Sequence, residues 1–311
     1  MEIILQILLL AVGFLMLVKG ADWFVDGTAG IASKFGIPQL VVGLTIVAMG
    51  TSAPEAAVSI TAALKGNAGI AIGNVVGSNI LNILIILGLT GLITSVAVQK
   101  STLMVEIPFM LFVTVVLGVM GMFGNTVGRV EGIILWILFI IYLTYLFWLA
   151  KNGPQEEESV NVKEKNVWKL LISAVVGGVI VVWGSDVTVD AATNIANAVG
   201  LSERFIGLTI VALGTSLPEL VTSVTAARKG NADIAIGNIV GSNIFNILFV
   251  IGTSSLIIPV IFEPSFIVDT TIAILAGVLL WISTYKKKML TRPWGIVMLV
   301  AYACYFVYLL V

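Results

Sequence analysis

Apolar runs of about twenty residues recur along the whole chain, and short polar stretches separate them. A run of this length can cross about 30 Å of hydrocarbon as an α-helix. Ten-residue segments of alternating polarity, which are typical of membrane β-barrels, do not appear in the sequence. The pattern predicts an all-α polytopic membrane protein with ten transmembrane helices, at 3–20, 39–64, 70–94, 102–122, 130–150, 167–184, 206–228, 234–258, 266–284 and 293–311.

The chain divides into two related halves. Shifting the sequence by 164 residues aligns 42–89 with 206–253 without a gap, and 33 of the 48 positions are identical. A half with five helices crosses the membrane an odd number of times, so the second copy must enter from the opposite face. Such inverted repeats recur in secondary transporters, whose ion site lies near the bilayer midplane.

The repeat sets the predicted domain boundaries. The first five-helix repeat covers 1–150, with an ion-binding segment at 40–90. The second covers 167–311, with an ion-binding segment at 206–254. The polar stretch KNGPQEEESVNVKEKN joins them as a short linker at 151–166.

Basic residues gather at one end of the predicted helices. Three lie at the other end: Lys65, Arg129 and Arg204. The thirteen on the crowded side are Lys19, Lys34, Lys100, Lys151, Lys163, Lys165, Lys169, Arg228, Lys229, Lys286, Lys287, Lys288 and Arg292. Lys and Arg accumulate in cytoplasmic loops. We therefore predict a multi-pass protein of the cell membrane with a cytoplasmic linker and both termini extracellular.

Composition supports the membrane assignment and excludes several functions. Hydrophobic residues make up 59% of the chain and charged residues 11%, against about 25% charged in soluble domains. Histidine is absent, and the single cysteine, Cys304, cannot form a disulfide framework. No HExxH or GxSxG motif occurs. The sequence therefore predicts neither an enzyme nor a bound cofactor, and no nucleic-acid or protein partner.

The motifs GTSAPE at 50–55 and GTSLPE at 214–219 each place a glutamate deep within an apolar run. Of the seventeen acidic residues, only Glu55 and Glu219 are expected at that depth. A charged side chain at the bilayer centre costs roughly 2.5 kcal/mol or more, so it faces a cavity or a partner. No Lys, Arg or His shares these depths. The compensating charge must therefore come from bound metal cations or protons.

The prolines of the two motifs predict broken helices. Pro54 and Pro218 lack an N–H and cannot bond the carbonyl four residues earlier. Carbonyls near 48–51 and 212–215 are expected to lose their intrahelical partners, which membranes tolerate only beside protein or a wet cavity. With the Thr and Ser hydroxyls and one carboxylate per copy, they predict an all-oxygen shell that suits hard cations.

The next span of each half adds further oxygen ligands. The motif GNVVGSNILN places Ser78 and Asn82 four residues apart on one helical face, and GNIVGSNIFN does the same for Ser242 and Asn246. Glycines four apart let helices approach closely, and here they are Gly73, Gly77, Gly237 and Gly241. Four aspartates at the ends of the first and sixth spans are expected to cap a helix or to bond a helix end rather than to take part in transport, and they are Asp22, Asp26, Asp186 and Asp190.

On these two motif pairs the chain resembles, over almost its whole length, the sodium/calcium exchanger family of the cation/calcium exchanger superfamily. The resemblance implies ten helices in two inverted halves, with an ion cage built by helices two and three of each half. It implies calcium ligands at Glu55, Glu219 and the backbone oxygens of Thr51 and Thr215, sodium ligands that add Ser52, Ser78, Ser216, Ser242 and the carbonyls of Ala48 and Ala212, and a cage centre at Asn82 and Asn246.

The resemblance predicts a secondary antiporter that exchanges sodium for calcium by alternating access. Some relatives, including potassium-dependent ones, carry Asp where this chain has Asn246, which argues against potassium co-transport. Proton/calcium exchange is the alternative, because a buried glutamate can bind a proton instead of sodium. A channel is disfavoured by the inverted repeats with broken helices. The expected partners are calcium and sodium ions and the lipid bilayer.

Overall fold

A computed structural model describes residues 2–66, 69–152, 166–198 and 212–310. Most of the predicted linker and the start of the predicted span 206–228 lie outside these residues, as does Arg204. The described chain is almost entirely helical, which confirms the all-α prediction.

The first half contains six helices and two short strands. In chain order they are α1 Glu2–Phe35, α2 Gln39–Thr51, α3 Ala53–Leu64, α4 Gly69–Ile93, β1 Val96–Ala97, α5 Thr102–Met122, β2 Thr126–Val127 and α6 Arg129–Asn152. Most of helix α4 is buried inside the protein, whereas α1 and α6 expose many apolar side chains. Exposed leucine and isoleucine are expected where a helix faces lipid.

The second half repeats this order. Its elements are α7 Val167–Ala198, α8 Ala212–Thr215, α9 Leu217–Arg228, α10 Ala232–Ile257, β3 Val260–Ile261, α11 Pro264–Tyr285, β4 Met289–Leu290 and α12 Arg292–Leu310. Helix α10 is the most enclosed of the long helices and corresponds to α4. The repeat of the sequence is therefore a repeat of the structure.

Helices α1 and α7 are longer than predicted, since the predicted spans ended at residues 20 and 184. Polar residues such as Asp22 and Asp186 lower the hydropathy after these points, but they do not break a helix. Both helices continue for more than a dozen residues. The polar side chains occupy helix faces rather than helix ends.

Glycines bring α1 and α7 into close antiparallel contact. A β-carbon on Gly27 would lie 2.4 Å from the backbone nitrogen of Ala174, and one on Gly177 would lie 2.4 Å from that of Phe24. No real β-carbon fits at such distances, so only glycine allows the two backbones to approach this closely. The two helices therefore pack as a pair along most of their length.

Two small antiparallel strand pairs tie the halves together at opposite ends of the molecule. Strand β1 pairs with β4, so that Val96 lies opposite Leu290. Strand β2 pairs with β3, so that Val127 lies opposite Val260. The first pair joins the connections that carry Lys100 and Lys286–Lys288, two of the predicted basic clusters. The fold thus gathers those clusters at one end.

Candidate ion-binding site

The breaks predicted in the two GTSxPE motifs lie at Ser52 and Ser216. Ser52 has φ −82° and ψ 7°, and the axes of α2 and α3 differ by 51° across it. Ser216 has the nearly equal values of −92° and 5°. Each proline lies in the first turn of the following helix, where its missing N–H costs no helical bond. In each repeat, therefore, the helix breaks at a serine that lies two residues before the proline. We call these two serines the hinges.

The hinges place both carboxylates at helix N-termini inside the protein. Glu55 is the third residue of α3 and Glu219 the third residue of α9. Each is only 1% exposed. The partial positive charge of a helix N-terminus favours an anionic side chain in the first turn. This partial charge offsets part of the free-energy cost of burying each carboxylate. A bound cation would have to offset the rest.

Each hinge serine reaches the carboxylate of the opposite repeat. The Ser52 hydroxyl donates to Oε1 of Glu219 at 2.8 Å, and the Ser216 hydroxyl donates to Oε1 of Glu55 at 3.3 Å. The hydroxyl groups of Thr215 and Thr51 also interact with Glu55 and Glu219, respectively. The two motifs, 164 residues apart in sequence, therefore form one site.

Four oxygens of this site are buried without any hydrogen-bond partner. They are Oε2 of Glu55, Oε2 of Glu219, Oδ1 of Asn82 and Oδ1 of Asn246. All four residues are at most 1% exposed. Leaving one buried acceptor unsatisfied costs about 1–3 kcal/mol, and more for a charged group. Four acceptors with no donor are the arrangement expected of cation ligands.

The asparagines that hold this site together include two that the sequence reasoning did not select. Asn79 and Asn243 donate to each other's backbone carbonyl at 3.1 Å in both directions. Their side-chain oxygens accept from the amides of Asn246 at 3.2 Å and Asn82 at 2.9 Å. These bonds use amide hydrogens of Asn82 and Asn246, whose side-chain oxygens stay buried without a donor.

A second missed pair braces the hinges. The Asn74 amide donates to the backbone carbonyl of Glu55 at 3.1 Å and to the Ser59 hydroxyl at 2.9 Å. In the other repeat the Asn238 amide donates to the Glu219 carbonyl at 3.4 Å. The sequence could have indicated Asn74, because it lies four residues before Ser78 and therefore on the helical face that was already assigned to the site.

The remaining predicted ligands line the same region. The Thr51 hydroxyl lies 3.0 Å from Oδ1 of Asn238, and the Ser78 hydroxyl accepts from the Asn246 amide at 3.3 Å. Ser242 donates to the carbonyl of Ala48 at 3.3 Å. The Ala212 backbone begins the described part of α8, and Thr215 ends it.

One expectation about the hinge was wrong. The Ala48 carbonyl was predicted to lack an intrahelical partner, but it accepts the Ser52 N–H at 3.0 Å. The reason is that the helix continues to Thr51 and the chain leaves helical geometry only at Ser52. Proline removes the donor to Gly50 instead. A carbonyl has two lone pairs, so that of Ala48 keeps capacity for a further contact.

A π-helical turn begins at each cage asparagine. These turns run over Asn82–Leu87 in α4 and Asn246–Ile251 in α10. Single π-turns inside α-helices often occur at functional sites, because the extra residue per turn reorients side chains. Here each turn begins at an asparagine whose side-chain oxygen is buried without a hydrogen-bond partner. The sequence carries no simple signal for it.

The structure corrects two further predictions about acidic residues. Glu106 was not expected at depth, yet it is fully buried in α5 and accepts a hydrogen bond from Tyr145. Asp22 and Asp26 do not cap a helix, because they lie within α1 and form salt bridges with Lys229. Hydropathy alone could not reveal either arrangement, since both depend on contacts between distant helices.

The close glycine approach is confirmed for the second repeat. β-carbons on Gly237 and Gly241 would lie 3.0 and 2.7 Å from the carbonyls of Leu40 and Leu44 in α2. The partners that the repeat register predicts for Gly73 and Gly77, at 204–208, lie outside the described residues. For that half the close approach stays a prediction.

The site thus consists of oxygen donors with two formal negative charges. Within the described ranges, neither Glu55 nor Glu219 forms a salt bridge, and no group of three or more His, Cys, Asp or Glu side chains could hold a metal. Hydroxyl, amide and carbonyl oxygens must therefore supply most ligands. Such a shell suits hard cations rather than transition metals.

Comparisons with known proteins agree with this geometry. The family model described as "Sodium/calcium exchanger protein" matches residues 5–148 and 169–311. Inner membrane protein YrbG of Escherichia coli (strain K12) is 36% identical, with 90% of this chain and 89% of the relative covered. Sodium/calcium exchanger MaX1 of Methanosarcina acetivorans is 33% identical, with 99% of both chains covered.

A solved structure is similar over nearly the whole length. The sodium-calcium exchanger NCX_Mj, soaked with 10 mM Na⁺ and zero Ca²⁺, superposes with a TM-score of 0.84 at 35% identity. The match covers 97% of this chain and 98% of the solved chain. The helical architecture with two repeats is therefore shared with a known exchanger.

Proposed function

The chain belongs to the sodium/calcium exchanger family, and from this premise we propose that it carries calcium and sodium in opposite directions through one oxygen cage that opens alternately to either side of the membrane. The observation that carries this proposal is the set of four unpartnered buried oxygens contributed equally by the two repeats. Buried carboxylates with no cationic side chain beside them need a cation. A divalent cation supplies two positive charges, which balance the negative charges of Glu55 and Glu219.

The ligand roles are part of the proposal. Calcium binds Glu55 and Glu219 together with backbone oxygens of Thr51 and Thr215. Sodium ions use the same carboxylates with other hydroxyls and carbonyls, namely those of Ser52, Ser78, Ser216, Ser242, Ala48 and Ala212, and the asparagines Asn82 and Asn246 complete the centre. The two ions compete because each needs both carboxylates.

Competition couples the two fluxes. An empty cage leaves two buried negative charges uncompensated, so the protein changes conformation readily only when ions are bound. Calcium that binds from one side is released on the other side, where sodium takes its place in the cage and is carried back in the return step. The absence of compensating basic residues around the described cage makes this charge penalty the coupling device.

Helices α1 and α7 are the proposed moving elements. They form a close pair through glycines, and they contact each other far more extensively than they contact the cage helices. Sliding this pair would expose one side of the cage and then the other. If cross-linking both helices to α4 and α10 leaves the exchange rate unchanged, this assignment is wrong.

The test uses the purified protein in calcium-tight liposomes that are loaded with sodium. On dilution into sodium-free buffer at clamped pH, we expect uptake of radioactive calcium that requires the outward sodium gradient. Glu55→Gln and Glu219→Gln should each abolish uptake, because one buried carboxylate cannot neutralise calcium. Glu131→Gln, an acidic residue in the first turn of α6 and away from the cage, is the matched control and should retain uptake.

Other outcomes would redirect the proposal. Calcium uptake that ignores sodium but follows an outward proton gradient would identify a proton/calcium antiporter in place of a sodium-coupled one. No uptake under either gradient would contradict calcium as the transported ion. Uptake that persists in both glutamine variants would contradict the cage itself.

A further inference from the structure

A salt bridge connects the moving helix pair to the end of a cage helix. The Lys229 ammonium, directly after α9, lies 3.2 Å from Asp22 and 2.9 Å from Asp26 in α1. It also donates to the backbone carbonyl of Asp22 at 3.1 Å. All three side chains are partly exposed. We call this arrangement the first latch.

The repeat supplies the same three residue types a second time, in the other half of the chain. The 164-residue shift aligns Lys65, directly after α3, with Lys229, and it aligns Asp186 and Asp190 in α7 with Asp22 and Asp26. We call this second set the second latch. Its lysine and its two aspartates are all exposed.

The two sets differ in one respect. Among the residues that the structure describes, no salt bridge joins Lys65 to either aspartate of α7. The first latch is therefore closed and the second open, although the residues are the same.

The two latches lie at different levels of the α1–α7 pair. Its register sets Gly13 against Thr188 and Gly27 against Ala174, so that residue 188 faces residue 13. The aspartates of α7 are centred on residue 188 and those of α1 on residue 24, eleven residues from that point. At 1.5 Å per residue, the two latches are about 16 Å apart along the pair.

We propose that Lys229 and Lys65 are positioning residues that alternately hold the α1–α7 pair at the two ends of its movement. The inference rests on the proposed alternating access. In an inverted-repeat transporter the second conformation exchanges the arrangements of the two repeats. The first latch then opens, and Lys65 bridges Asp186 and Asp190. The lysines set the balance between the two states without touching the transported ions.

Cross-linking tests the reciprocity. In a Cys304→Ala background, the pair Asp26→Cys with Lys229→Cys reports the first state, and Asp190→Cys with Lys65→Cys reports the second. Each pair is then combined with a glutamine at the lysine of the other latch. We expect Lys65→Gln to raise cross-linking of 26 with 229, and Lys229→Gln to raise cross-linking of 65 with 190.

The size of the effect follows from the exposure of the ion pairs. Partly exposed ion pairs change an equilibrium by about two- to fivefold. Arg228→Gln, which removes a neighbouring charge outside the bridge, is the matched control and should change neither yield. Unchanged yields with Lys65→Gln and Lys229→Gln, or failure of 65 to cross-link with 190 in any variant, would overturn the latches.

Transport kinetics provide a second test. If Lys229 only stabilised the fold, its replacement would not shift calcium affinity in opposite directions at the two membrane faces. Lys229→Gln should shift the half-saturating calcium concentrations at the two membrane faces in opposite directions, by about two- to fivefold, with Lys229→Arg restoring both. Equal shifts at both faces would contradict the proposal. If the wild-type protein exchanges no calcium for sodium, the proposed function fails, while the cross-linking yields still decide whether the latches alternate.

Discussion

Asn79 and Asn243 lie where the two repeats meet, and each is nearly fully buried. Each side chain bonds the partner's backbone and orients one amide of the cage. Replacing one of them therefore disturbs both the contact between the repeats and the direction of a ligand. These two uncharged side chains therefore link the repeats and hold the amides of Asn82 and Asn246 in place.

This role predicts the effect of Asn79→Ala. The substitution removes the bond that the Asn79 amide donates to the Asn243 carbonyl, and it leaves the Asn246 amide with only the Ser78 hydroxyl as acceptor. Each lost hydrogen bond contributes about 0.5–1.5 kcal/mol to stability. We expect a thermal midpoint several degrees below that of the wild-type protein in detergent, together with weaker calcium transport. Asn152→Ala is the control, because that amide makes one exposed bond to its own helix. Equal midpoints for the two variants would contradict a structural role for Asn79.

The packing of α1 against α7 can be tested with single glycine substitutions. The α1–α7 contact depends on particular glycines, and two adjacent ones differ. A β-carbon on Gly177 would collide with the backbone of α1, whereas one on Gly178 would make ordinary contacts with the Phe24 ring at 3.5 Å. The neighbouring positions therefore separate the effect of close backbone approach from that of helix propensity.

We expect Gly177→Ala to force α1 and α7 apart and Gly178→Ala to be tolerated. Alanine favours a helix by about 1 kcal/mol relative to glycine, so Gly178→Ala should leave stability equal or higher. Gly177→Ala should lower the thermal midpoint and slow exchange in the liposome assay. If both variants behave alike, the close contact does not support the movement of the pair.

Sequence reasoning predicted the elements better than their ends. The positions of Pro54 and Pro218 located the breaks within two residues, because proline removes a specific hydrogen bond. The ends of α1 and α7 were misplaced, because a hydropathy window cannot tell a polar face from a helix end. The π-turns at Asn82 and Asn246 were missed, since they arise from packing that no local pattern encodes.

For the site, the sequence pointed to the two buried carboxylates but not to the residues that support them. Glu55 and Glu219 stood out because a charge within hydrocarbon needs an explanation. Asn79 and Asn238 did not, because an amide in a helix is ordinary until its partner across the repeats is known. The Asp22–Lys229 bridge was hidden for the same reason, as its members lie 207 residues apart.

At the scale of the whole molecule, orientation in the membrane is a separate question from the fold. The two strand pairs fix which connections share an end: β1 with β4, and β2 with β3. The basic residues then predict which end is cytoplasmic. Exposed positions at each end make the prediction directly measurable, and Cys304 is the only native cysteine to remove.

In a Cys304→Ala background, Lys100→Cys and Lys287→Cys should react with an impermeant maleimide only in inverted membrane vesicles. Arg129→Cys and Ile261→Cys should react only in intact cells, because their connections lie at the opposite end. The reverse result would invert the protein in the membrane and leave its fold unchanged. Labelling that differs between Lys100→Cys and Lys287→Cys would be more serious, because β1 and β4 then could not pair, and the second half would not be the inverted copy of the first.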